Sequence, residues 1–319
     1  MCTLVAAPVW SQGGLAEGRE AFETYLEATN AYTEAIGAGD AEAAREHVET
    51  AKVALTQARR FLELGRADRS DDVETLASYA AVLGLTKDFD LATKVYRRLS
   101  ERTPADAAVW LNLGKSLSAM GESKEAVGAF GQCIELSGGG DQEAQARIEL
   151  GDLYLERGAH MLAEEQYLAA LEASGESIMA KIALAALDAR LGMAVEANKK
   201  LEELGDLGTL YGAPIQLRVS NALKDFDEAR LWVPDDAENH LAYAKLLTRA
   251  GRAAEAIAPL RRSLALDGQN YVGWNLLGSL YGQIGDTQGA QNAFVRSLEV
   301  NADQPRTYEA LESLGGTAR

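Results

Sequence analysis

Residues 106–121, DAAVWLNLGKSLSAMG, place Trp110, Leu113, Leu117 and Met120 at intervals of three and four, a stripe that only an α-helix brings onto one face. Longer stretches of helical pattern occur near the N-terminus. Residues 15–37 and 40–65 predict two long helices joined by the turn GAGD, with Phe22, Tyr25, Tyr32 and Ile36 facing Val48, Val53, Leu55, Phe61 and Leu62. The chain is rich in Ala and Leu and only 7% aromatic. It therefore lacks the β-branched and aromatic enrichment of strands, and an all-α fold with almost no sheet is expected.

The stripe recurs. WLNLGKSL at 110–117 is echoed by WNLLGSLY at 274–281, 164 residues later, and weaker copies fill the interval. If the small residue of each copy is numbered position 8, the copies centre on Ala80, Gly114, Gly151, Ala185, Leu217, Ala244 and Gly278, at steps of 34, 37, 34, 32, 27 and 34. The fullest copy has Trp274, Leu277, Gly278, Tyr281, Gly285, Ala290 and Phe294 at positions 4, 7, 8, 11, 15, 20 and 24. Leu113, Gly114, Gly121, Ala126 and Phe130 repeat much of that set, as do Leu150, Gly151, Tyr154, Gly158, Ala163 and Tyr167. Leu217 departs from it, being large at position 8.

This pattern resembles the tetratricopeptide repeat. Small residues at positions 8 and 20 let two antiparallel helices approach closely, large residues at 4, 7, 11 and 24 fill the space around them, and glycine at 15 ends the first helix. The resemblance implies a right-handed superhelical solenoid of antiparallel helix pairs. Residues 14–66 are then a capping hairpin, 67–304 about seven repeats, and 305–319 a closing helix and tail. The stretch 205–239 is irregular, because Pro214 interrupts the first helix of its copy and Trp232-Val233-Pro234 cuts the second short.

Gly114-Lys115-Ser116 looks like the end of a phosphate-binding loop, but the glycine required five residues earlier is Val109, and the tripeptide lies inside a helix. Other chemistry finds as little support. His47, His160 and His240 have no ligand-spaced companions, and Cys2 and Cys133 form no paired motif. No enzymatic activity, metal or cofactor is expected. A formal charge of -17 argues against a role in neutralising nucleic acid, and no apolar run is long enough to span a membrane.

A binding surface remains. The resemblance implies a concave wall made from first-helix positions 2, 5, 9, 12 and 13. Its charged residues are Glu74, Lys115, Asp152, Glu156, Arg190, Arg218, Glu238, Lys245 and Arg249, with cations dominating from Arg190 onward. Of these, Lys115, Asp152, Arg190, Arg218, Lys245 and Arg249 are the candidate groove residues for a protein or extended peptide that carries carboxylates. An assembly role in an envelope or secretion complex, or a module attached to a glycosyltransferase-like system, are the alternatives. Residues 1–13 read either as the remnant of an export signal, which would mean a periplasmic or secreted protein, or as an apolar tail on a cytoplasmic one.

Overall fold

The computed structural model describes residues 9–205, 211–229 and 232–316, with no side-chain detail for 9–13. Every regular element among the described residues is a helix, and none is a strand. The chain divides into two compact units, residues 1–177 and 178–319.

The first unit holds α1 (Val9–Ala38), α2 (Ala41–Leu64), α3 (Val73–Leu85), α4 (Phe89–Arg102), α5 (Ala107–Ala119), α6 (Ser123–Ser137), α7 (Gly140–Glu156) and α8 (His160–Ala173). Three antiparallel pairs, α3/α4, α5/α6 and α7/α8, follow the N-terminal hairpin. The second unit holds α9 (Ile178–Arg190), α10 (Ala194–Glu202), α11 (Gly212–Glu228), α12 (Ala237–Arg249), α13 (Ala253–Leu266), α14 (Tyr271–Gln283), α15 (Thr287–Val300) and α16 (Pro305–Ser313). Here the pairs are α9/α10, α12/α13 and α14/α15. First helices commonly start on an acidic or amide cap: Asp72, Asp106, Asp236 and Asn270 each accept a backbone N–H of the first turn.

Within the pairs, position 8 meets position 24. A Cβ on Gly114 would lie 2.5 Å from the Phe130 ring, one on Gly151 2.5 Å from the Tyr167 ring, and one on Gly278 2.6 Å from the Phe294 ring. Real carbon contacts do not reach that distance, so each aromatic ring rests directly on bare helix backbone. Ala185 and Ala244, buried at the same position, are followed sixteen residues later by buried Leu201 and Leu260 rather than by rings.

Each of the six pairs also turns in the same way. Gly121, Gly158, Gly192, Gly251 and Gly285 at position 15 have φ between 71° and 83°. The next amide in each case reaches back to a carbonyl five residues earlier, as Glu122 does to Leu117 and Asp286 to Tyr281, both at 2.9 Å. The pair α3/α4 makes this turn with Lys87, a side-chain-bearing residue held at φ 61° and closed by the Asp88 amide on the Leu83 carbonyl.

Several sequence expectations are corrected. In the hairpin, Tyr32, Ile36 and Val53 are exposed, and the buried residues described on α1 are Gly18 and the alanines Ala21, Ala28 and Ala35, which are spaced by seven. On α2 they are Ala44, Ala54, Ala58 and Leu62. The two helices close on a ladder of alanines, which permits a nearer approach than the large residues would. α1 also starts at Val9, inside the segment expected to lie outside the fold; residues 1–8 lie outside the described residues.

Among the described residues the copy centred on Leu217 is a single helix, so six pairs are described where about seven were expected. Pro214 does not interrupt α11, because it falls in the first turn, where a backbone N–H has no partner to lose. Leu217 is 63% exposed, and Ala229, at position 20 where a regular copy has its second helix, is the terminal cap residue of α11. Residues 232–234 are non-helical, as the restriction imposed by Pro234 on its predecessor favours. α11 packs on α9 and also touches α12, while α12 stacks on α10 as a next repeat should.

Replacing Lys87 by Gly is expected to raise stability by about 1 kcal/mol by relieving the left-handed strain. Urea unfolding of K87G against wild type measures it, and an unchanged or lowered midpoint contradicts the assignment.

Candidate functional site

The first-helix face of the first unit is built by α3, α5 and α7. Its positions 2, 5, 9, 12 and 13 include the small residues Ala77, Ala81, Gly84, Ala108 and Ser118, giving a shallow wall. Lys115 stands on it, its Nζ 3.8 Å from Oε1 of Glu149 on α7, with both side chains 32% exposed. Burial pulls the Lys115 ammonium below its usual range, against the opposing pull of Glu149. Asp152 turns toward its own pair partner and accepts the Tyr167 hydroxyl at 2.6 Å. Glu74 pairs with Arg19 of α1 at 3.0 Å.

In the second unit the predicted cations are gathered by α10 and α11. Arg190 reaches Asp225 of α11, Nη2 to Oδ2, at 2.5 Å. Lys245 donates to Glu202 of α10 at 2.9 Å, and Arg249 Nε lies 3.4 Å from Asn198 Oδ1 one turn earlier on the same helix. Burial lowers the pKa of the Arg249 guanidinium, with Glu202 opposing the shift. Arg218 is half-buried on α11 and is also engaged. The structure therefore brings Lys245 and Arg249 together against α10, pairs Arg190 of α9 with α11, and holds Lys115 and Asp152 in the other unit.

Sequence reasoning missed Asn198. It is buried, its Nδ2 donates to Ala194 O at 2.9 Å and across to Ala242 O of α12 at 2.7 Å, and its Oδ1 takes Arg249. An asparagine directly after Ala197 in a short helix was the only signal. The irregular segment is similarly tied down, since Asp235 accepts Arg262 Nε at 2.8 Å and His240 Nε2 lies 2.9 Å from it. Arg262 and then His240 hold the Asp235 carboxyl well below the usual range.

Chemistry finds no cluster. Among the described residues no group of His, Cys, Asp and Glu could hold a metal ion. Cys133 is buried on α6, and that burial pushes its thiol up, away from the reactive thiolate. No described helix is long and apolar enough to cross a membrane.

Residues 111–178 and residues 272–304 each match a tetratricopeptide repeat family model, the first spanning most of α5 to α8 and the second α14 and α15. Together with the recurring pair geometry, these matches make the chain a tetratricopeptide-repeat protein, a class of protein-interaction scaffold. Protein FlbA of Caulobacter vibrioides is 31% identical over 125 residues, which is 39% of this chain and 20% of that protein. The chain thus spans about a fifth of that relative's length. Solved structures with a similar arrangement include a tetratricopeptide repeat protein from Parabacteroides merdae, 15% identical, covering 92% of this chain and 100% of that one with a TM-score of 0.39. YrrB, described as a TPR protein with an unusual peptide-binding site, is 16% identical over 68% of this chain and 97% of its own, with a TM-score of 0.29. At these scores no geometry is carried over from either.

Truncating Asn198 to Ala strands the Ala242 carbonyl and the Arg249 guanidinium in a buried setting, and should cost about 1–3 kcal/mol. Chemical unfolding of N198A tests this, and a loss below the scatter of surface substitutions would show that α10 and α12 are held by apolar packing alone.

Proposed function

We propose that this chain is a non-enzymatic scaffold that binds an extended, carboxylate-bearing segment of a partner protein along the first-helix face of its repeats. The observation that carries the reading is Lys115. It is half-buried, partly stripped of water, and paired to Glu149 at 3.8 Å, too long for a hydrogen bond. A cation in that state gains from any carboxylate that approaches within about 2.8 Å. Asp152, Arg190, Lys245 and Arg249 have closer partners within the chain, so on this reading they shape the wall and a ligand engages them only by competing with Asp225, Glu202 and Asn198.

The rest of the surface is consistent with protein rather than nucleic acid as partner. A chain of net charge -17 repels a polyanion at long range, whereas a peptide needs only local complementarity. Nothing among the described residues favours the envelope-assembly or glycosyltransferase-linked alternatives.

A photo-crosslinker placed at Ser118, beside Lys115 on the wall, should capture the partner in cells, and one at Gln132 on α6 should not. With the partner in hand, Lys115→Met is expected to weaken binding about tenfold, the loss of one charge-assisted hydrogen bond, and to flatten its salt dependence. Affinity and salt dependence equal to wild type, with the fold intact, would refute the first-helix site.

A further inference from the structure

On the side of the second helices, the unit formed by residues 178–319 carries a surface cleft of about 490 Å³ between α13, α14 and α15. Trp274, Leu277, Leu264 and Ala293 provide an apolar lining, with Arg261 and Arg296 among the other lining residues. The indole nitrogen of Trp274 is already satisfied by the Gly268 carbonyl at 3.0 Å, so what the cleft receives from this residue is ring surface.

The same constellation occurs again among the described residues, and there its arginine is paired. In the α4–α5–α6 group, Trp110 occupies the same repeat position as Trp274, and its indole donates to the Pro104 carbonyl six residues back, just as Trp274 does to Gly268. Arg97 of α4 holds the position that Arg261 holds on α13. Arg97 is paired: its guanidinium meets Glu125 of α6 at 2.5 Å and Glu122 at 3.5 Å. On α15 the residue equivalent to Glu125 is Gly289, which itself lines the cleft. Arg261 consequently has no carboxylate partner among the described residues, and Arg296 has only Glu299, a pair exposed on both sides (66% and 54%) and of little energetic consequence. Asp286, at the position of Glu122, is occupied in capping α15 through the Gly289 amide.

We propose that this cleft is a second binding site, in which an acidic side chain of a partner protein supplies to Arg261 the carboxylate that Glu125 supplies to Arg97, while a neighbouring aromatic or aliphatic side chain of the same segment lies against Trp274 and Leu277. The unpaired guanidinium sets the charge of the ligand, and the apolar lining sets the need for a bulky neighbour. The volume suits one or two side chains rather than a folded domain. The site is independent of Lys115 and would survive the failure of the first-helix reading.

Two labelled synthetic hexapeptides test it, one with a phenylalanine flanked by glutamates and its twin with glutamines, titrated by fluorescence anisotropy into the full chain. The glutamate peptide should bind at least about tenfold more tightly than its twin, the worth of one charge-assisted hydrogen bond. The Arg261→Ala, Arg296→Ala double variant, whose substituted residues are exposed, should unfold as wild type does and lose that preference. In ¹H–¹⁵N spectra the indole resonance of Trp274 should shift on binding while that of Trp110 stays in place. Equal binding of the two peptides, no binding at millimolar concentration, an unaffected double variant, or a shift at Trp110 in place of Trp274 would each overturn the proposal.

Discussion

The contact on which the repeats depend is an aromatic ring laid on a glycine. Phe130, Tyr167 and Phe294 each sit where a single Cβ on the facing helix would be 2.5 or 2.6 Å away. Such a contact fixes two things together. It sets the interaxial distance, because no side chain intervenes, and it sets the register, because only one residue in each first helix is bare at that height. The left-handed turn at position 15 then returns the chain so that position 24 arrives opposite position 8, and its backbone hydrogen bonds recur with Gly121, Gly158, Gly192, Gly251 and Gly285. Of the three pairs with alanine at position 8, two carry leucine at position 24, Leu201 and Leu260, and the third keeps a ring, Tyr96 after Ala80.

Charge is organised around that frame rather than within it. Arg59 of α2 reaches Thr86 and Asp88 at the turn between α3 and α4, both at 2.8 Å, which ties the N-terminal hairpin to the first pair. Arg98 and Arg102 both reach Asp71 in the linker. In the second unit, Asp225, Glu202 and Asn198 absorb the cations that a pure repeat would have left on the open wall. α11 supplies one of these groups, Asp225, and α10, the second helix of the preceding pair, supplies Glu202 and Asn198. Among the cations left incompletely served, Lys115 lies on the first-helix side and Arg261 in the cleft on the second-helix side. Both are consistent with an acidic partner.

The pair architecture was legible in the sequence because it is local: small and large residues at fixed separations within 34 residues can be read without knowing what lies elsewhere. The hairpin was misread for a related reason. Helical periodicity identifies a buried face, but on α1 two faces are apolar, and the one carrying Ala21, Ala28 and Ala35 wins because alanines allow the closer approach. The candidate groove was less legible still. Register places Lys245 and Arg249 on a face of α12, yet what that face meets depends on α10 being short and on α11 being a lone helix, neither of which is written in α12. The cleft at Arg261 lay between these cases, since the exchange of Glu125 for Gly289 is visible in the sequence once the repeats are superposed but means nothing until Arg97 is seen to be paired.

The most direct test of the ring-on-glycine constraint is a double-mutant cycle at Gly114 and Phe130, followed by denaturant unfolding. Replacing glycine by alanine inside an unobstructed helix adds about 1 kcal/mol of stability. With Phe130 present the same change forces the ring aside, and a net loss of up to about 2 kcal/mol is expected. In the Phe130→Leu background the obstruction is gone, and Gly114→Ala should become stabilising. That reversal of sign is what the account predicts; a Gly114→Ala substitution that stabilises the chain in both backgrounds would contradict it.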